Sequence, residues 1–152
     1  MLLLCAFLVG LVAGLRCMLA PAIVSWSARL GVLNVGQTIM ALMNYRITAA
    51  IFTILALAEL VADKLPQMGS RKRPLPFTVR ILSGSLVGAT VGASGGQLVA
   101  GLICGAIGAV AGTLGGAWAR AKLAAAFGRD FPAAILEDIA GIAIAIFAVR
   151  LA

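Results

Sequence analysis

Charge is scarce in this chain. Only 11% of its 152 residues are Asp, Glu, Lys or Arg, and 62% are hydrophobic. Soluble domains carry about 25% charged and about 45–50% apolar residues. So small a supply of charge cannot dress a soluble surface, and the mean hydropathy of +1.12 agrees. Histidine is missing altogether, which removes the commonest metal ligand and the one side chain that ordinarily titrates near neutral pH. The three cysteines, Cys5, Cys17 and Cys104, stand far apart in apolar surroundings with no CxxC spacing. They read as small buried hydrophobes, and neither a zinc site nor a disulfide framework has support. There is no nucleophile–base pair and no recognisable phosphate loop. The chain is therefore not expected to be an enzyme, and no cofactor is implied.

Acids are scarcer still. Five stand against twelve Lys and Arg, for a net charge of +7. In a soluble protein that balance would suggest nucleic acid. Beside apolar runs, basic residues instead set membrane orientation and face anionic lipid. Membrane lipids are the expected partners, and a nucleic-acid partner is not.

What the chain has is apolar runs of membrane-spanning character, each needing about 20 residues. The first is Met1–Leu15, ending at Arg16. It has no preceding positive residue and no convincing cleavage site, so it reads as a retained helix rather than a signal peptide. Cys17 to Arg46 is too polar for a lipid-exposed span, with Pro21, Ser25, Ser27, Arg29, Asn34 and Gln37 among its residues. Pro21, Ile23, Val24, Trp26 and Leu30 suggest a short amphipathic helix, interfacial or re-entrant. Further runs lie at Ile47–Ala62 (with Thr38–Tyr45 expected to extend it outward), Phe77–Ala93, Leu98–Ala119 and Pro132–Val149. Ser94-Gly95-Gly96-Gln97 reads as a turn. The expected fold is all-α: a single transmembrane domain over residues 1–152, a polytopic helical bundle. It has about five spans plus an interfacial or re-entrant segment near residues 20–45.

Lys64, Arg71, Lys72, Arg73 and Arg80 gather around one connection, and Arg120, Lys122 and Arg129 around another. The positive-inside rule puts both in the cytoplasm. Five spans then place the N-terminus inside and the C-terminus outside. If Cys17–Arg46 crosses the membrane, there are six spans and the N-terminus moves outside.

Glycines recur every four residues: Gly10 and Gly14, then Gly84, Gly88 and Gly92, then Gly101 and Gly105, and Gly108, Gly112 and Gly116. Residues four apart share a helix face, and small-xxx-small faces let membrane helices pack closely. The partner face is either in the same chain or in another copy, as a homo-oligomer. Leu11-Val12-Ala13-Gly14 echoes Ala109-Val110-Ala111-Gly112; a true repeat across three spans would be inverted.

The ionisable residues converge by depth. Glu59 and Glu137 each lie about 7–8 Å inside a helix end, at about 1.5 Å rise per residue. Arg80 and Arg120 come from the two intervening spans, with Asp63 and Asp138 at the cytoplasmic rim. Charges inside spans are costly and mark sites or pathways. Their alternative is structural ion pairing or snorkelling. Arg16 either snorkels outward or reaches the acidic layer. The candidate substrate- or ion-binding set is thus Arg16, Glu59, Asp63, Arg80, Arg120, Glu137 and Asp138; no metal is specified.

Ala13-Gly14-Leu15-Arg16 with Pro21, Ala58-Glu59-Leu60-Val61-Ala62-Asp63-Lys64-Leu65-Pro66, and Leu136-Glu137-Asp138 together resemble one family. With Arg80 and the glycine-rich middle, they are similar to the bacterial membrane proteins catalogued as domain of unknown function 4126. The resemblance covers nearly the whole chain. It implies a small multi-pass protein of the bacterial inner membrane, and makes Arg16, Glu59, Asp63, Lys64, Arg80, Glu137 and Asp138 signature charges. The functional expectation is a small transporter or channel-like protein using a membrane-embedded charged cluster on a small ion or molecule. The alternative is a non-catalytic membrane component that assembles with partners or handles lipid headgroups.

Overall fold

The computed structural model describes residues 1–62, 74–127 and 130–152. Among them the chain is all-helical and contains no strand. The order is α1 (Leu2–Leu15), α2 (Leu19–Arg29), a 3-10 helix (Ile39–Asn44), α3 (Arg46–Ala62), α4 (Pro74–Ser94), α5 (Leu98–Phe127) and α6 (Asp130–Leu151). Pro21, Pro74, Pro76 and Pro132 all fall in first turns, where a missing N–H breaks no helical hydrogen bond. The turn between α4 and α5 comes where expected. Gly96 takes φ +73°, and Gln97 N–H closes onto the Gly92 carbonyl at 2.8 Å.

One expectation needs correction. Thr38–Tyr45 does not extend α3. Ile39–Asn44 is a separate 3-10 helix, and Tyr45 is extended before α3 begins at Arg46. The expected amphipathic segment is the helix α2, and it packs into the bundle. Leu19, Ala20, Pro21, Ala22, Val24, Ser25 and Ala28 of α2 are buried, packed against α3, α4, α6 and α1.

Specific contacts fix the helix directions. Gly14 meets Arg80 while Leu2 meets Gly95, so α1 and α4 are antiparallel. Met18 meets Glu59 while Trp26 meets Thr53, so α2 and α3 are antiparallel. Arg16 meets Asp138 and Val12 meets Gly141, so α1 and α6 are antiparallel. Gly10 faces Gly105 and Gly14 faces Ala109 and Gly112, so α1 and α5 run parallel. The helices α1 to α6 alternate in direction, and the antiparallel pairing of α1 with α6 leaves Leu2 and Leu151 at one end of the bundle. The echoed segments of α1 and α5 are thus neighbours in parallel, which is not an inverted relation.

The interior is built of small residues. Cys5, Ala6, Val9, Val12, Ala13, Val87, Val91, Ala145 and Ala148 are buried. Large aliphatic residues turn outward instead: Ile47, Ile51, Ile54, Leu57 and Val61 on α3, and Val99, Ile103, Ile107 and Leu114 on α5 are exposed. This is the reverse of a soluble partition, and it follows where lipid removes any premium on hiding large apolar groups.

At the crossing of α1, α4 and α5 the backbones touch. A methyl group added at Gly88 would stand 2.6 Å from the Gly105 Cα, and one at Gly10 would stand 2.7 Å from it. One at Gly108 would meet the Leu11 nitrogen at 2.8 Å. These glycine faces pack within the chain.

Among the described residues, two helical segments, Pro76–Ser94 and Leu98–Leu123, are long and apolar enough to cross a membrane, and Leu2–Leu15 is a shorter apolar helix. The count of five spans is not shown by these lengths.

Candidate functional site

The site is the break between α1 and α2. The helix α1 stops at Arg16, whose φ of −135° and ψ of 108° are extended, and α2 begins three residues later at Leu19. Fourteen residues at about 1.5 Å each make α1 roughly 21 Å long, short of an apolar layer about 30 Å thick. Gly14, Arg16 and Cys17 are buried, so the end of α1 lies inside the bundle. A helix end exposes orphan carbonyls and the next helix start exposes orphan N–H groups. In an apolar setting each must find a partner.

The partners come from four other elements. The Glu59 carboxylate of α3 accepts the N–H of Cys17 at 2.7 Å and the N–H of Met18 at 2.8 Å, one on each oxygen. Arg80 of α4 donates through Nη1 to the Gly14 carbonyl at 2.7 Å and the Leu15 carbonyl at 3.4 Å. Ser83 Oγ, also on α4, donates to the Cys17 carbonyl at 2.5 Å. Thr113 Oγ1 of α5 lies 3.2 Å from the Gly14 carbonyl, donating there and to its own Ala109 carbonyl at 2.8 Å. Arg16 itself is fully buried and forms an ion pair with Asp138 of α6.

The electrostatics are matched to the backbone. A helix carries partial positive charge at its N-terminus and partial negative charge at its C-terminus. Glu59 stands at the start of α2 and Arg80 at the end of α1, so each formal charge faces the opposite end charge.

Beside the break, between α5 and α6, lies a cavity of about 350 Å³, lined by Leu15, Gly116, Ala119, Leu123, Leu136 and Ala140 with Arg120 and Glu137. Arg120 Nη1 and a Glu137 carboxylate oxygen are 3.7 Å apart. No group of three or more His, Cys, Asp or Glu able to hold a metal occurs among the described residues.

Among the described residues, the expected charges fall into two groups. Glu59, Arg80, Arg16 and Asp138 all reach the Gly14–Met18 stretch, and Arg120 with Glu137 shares a cavity with Leu15. The expectation joined the four groups Glu59, Glu137, Arg80 and Arg120 in one site. Among the described residues, Glu59 and Arg80 hold backbone, and Arg120 and Glu137 pair with each other. Arg16 does not snorkel: it reaches the acidic layer through Asp138. Asp63 and Lys64 lie outside the described residues. Sequence reading missed Ser83 and Thr113. Their signal was a hydroxyl next to a packed glycine, Gly84 or Gly112; Thr113 is the one Ser or Thr of α5, whereas α4 also carries Thr78, Ser85, Thr90 and Ser94.

No curated protein matches this chain, and no solved structure does. A family model matches residues 3–152. With that match over nearly its whole length, the chain belongs to the family described as domain of unknown function DUF4126.

Proposed function

We propose that this chain is a small multi-pass membrane transporter or channel-like protein whose working element is the α1–α2 break, with Glu59 as its protonatable group. The observation that carries the reading is the Glu59 carboxylate holding the Cys17 and Met18 N–H groups at the start of α2. Discontinuous helices that aim N–H groups and carbonyls into a bundle interior are how many transporters build ion sites. An ionised Glu59 accepts both N–H groups. Protonation weakens it as an acceptor and frees the positive end of α2 for water or a small anion. Protons, alone or with a small anion, are therefore the species assigned. The alternating helix directions favour six passes over five, with both termini at one end. Lys64, Arg71, Lys72 and Arg73 in sequence between α3 and α4, and Arg120 and Lys122 late in α5, put the opposite end in the cytoplasm of a bacterial inner membrane by the positive-inside rule.

The competing reading is a non-catalytic membrane component in which the same charges only hold the break together. The favouring observation is that Arg80, Ser83 and Thr113 all donate to its carbonyls. One variant separates the two. In proteoliposomes with an imposed pH gradient and a panel of small anions, the wild type carries flux. Glu59→Gln stays folded but loses that flux or its pH dependence. No wild-type flux across the panel, together with a large fall in the stability of Glu59→Gln, would establish the structural role instead.

A further inference from the structure

The cavity between α5 and α6 is not used by the break, yet it is shaped for a ligand. Its walls, Leu15, Leu123, Leu136 and Ala140, are apolar, and Arg120 and Glu137 bring both signs of charge to it. Neither charge is fully withdrawn: the side chains are 17% and 8% exposed. At about 350 Å³ it lies in the range of small-molecule sites, about 300–1,000 Å³.

Its depth in a bilayer follows from Trp118. That ring is exposed, and Lys122 Nζ stands 4.0 Å from its centroid. An outward-facing Trp carrying a Lys one turn further on is an interfacial anchor. Arg120 lies between them in sequence, so the cavity opens at headgroup level, with its apolar wall continuing along α5 toward Gly116 and the acyl region.

The occupant follows from the charge pattern. A diacyl lipid without a charged head would offer no group complementary to Arg120 or Glu137. An anionic head would suit Arg120 but abut the Glu137 carboxylate. A phosphate beside a primary ammonium suits both, because guanidinium takes phosphate oxygens in a forked pair and the carboxylate accepts from the ammonium. We propose that the α5–α6 cavity is a binding site for a zwitterionic phospholipid of the phosphoethanolamine class. Its phosphate sits on Arg120, its ammonium on Glu137, and an acyl chain lies against Leu123 and Leu136. This assignment does not depend on the transport reading, since its readout is binding and not flux.

Native mass spectrometry of the full chain in detergent tests it, with phosphatidylethanolamine, phosphatidylglycerol and diacylglycerol added in turn. The wild type retains one phosphatidylethanolamine per chain in preference to the other two. Arg120→Gln holds it about tenfold less tightly, the factor carried by one lost charge-assisted hydrogen bond. Ala140→Trp, which fills the cavity from an exposed wall position, abolishes retention while circular dichroism stays that of the wild type. If Arg120→Gln does not fold, Ala140→Trp decides alone. Equal retention by wild type and Ala140→Trp overturns the site. Equal or firmer retention of phosphatidylglycerol or diacylglycerol by the wild type overturns the assigned headgroup.

Discussion

Arg16 is fully buried, and its partner Asp138 sits on the last helix of the chain. Desolvating two charges costs as much as their attraction returns, so such a pair adds little net stability, but removing one member strands the other. Asp138→Ala is therefore expected to lower stability by about 3–5 kcal/mol. The double variant Arg16→Leu/Asp138→Leu should recover a large part of that loss, read as thermal unfolding in detergent. Additive losses in the double variant would mean that each side chain acts through other contacts. Glu59 is a different kind of residue. It holds two backbone N–H groups, which no second substitution can remove, so its test is the comparison of flux with stability in Glu59→Gln described above.

At the scale of elements, the fold rests on close approach of α1, α4 and α5. The helix α5 presents Gly101 and Gly105 to α4, and Gly108 and Gly112 to α1. Gly88→Leu and Gly112→Leu should each strongly destabilise the protein. Their first added carbon would already stand 2.6 Å from the Gly105 Cα and 2.9 Å from the Leu11 carbonyl carbon, respectively, and neither backbone can withdraw without separating helices. Gly115 offers the control. It lies on the same helix, yet an added methyl group meets nothing within 4 Å. Gly115→Ala should leave thermal stability unchanged or raise it, by up to the roughly 1 kcal/mol that separates Gly from Ala in a helix interior. Wild-type stability in both leucine variants would mean that these faces point at lipid.

For the whole molecule, helix direction sets where the two ends of the chain lie. Contacts order the six helices as an alternating bundle, and Leu2 and Leu151 share an end. Compartment reporters fused at Met1 and at Ala152 should therefore give the same answer, periplasmic. One inserted at Gly69, between α3 and α4 in sequence, should read cytoplasmic. Opposite answers from Met1 and Ala152 would restore the five-span arrangement and make α2 a segment that turns back.

The sequence by itself determined the class of molecule: too little charge for a soluble surface, helical runs bounded near Arg16, Arg46, Ser94 and Arg150, and a turn at Gly96. It also singled out Arg16, Glu59, Arg80, Arg120, Glu137 and Asp138, because an ionisable group inside an apolar run is conspicuous whatever it contacts. Glycine spacing announced close packing, since a four-residue period fixes one helix face. Only the tertiary structure decided the partners. A carboxylate on α3 carries no mark in sequence that its acceptors will meet N–H groups 41 and 42 positions away rather than an arginine. The fate of residues 17–46 was equally hidden. Their moderate polarity suits an interfacial helix as well as a buried one, and burial of α2 follows only because α3, α4 and α6 close around it. Helix direction is likewise a property of pairs: no residue of α1 specifies that it runs parallel to α5 and antiparallel to α4 until the glycine faces meet.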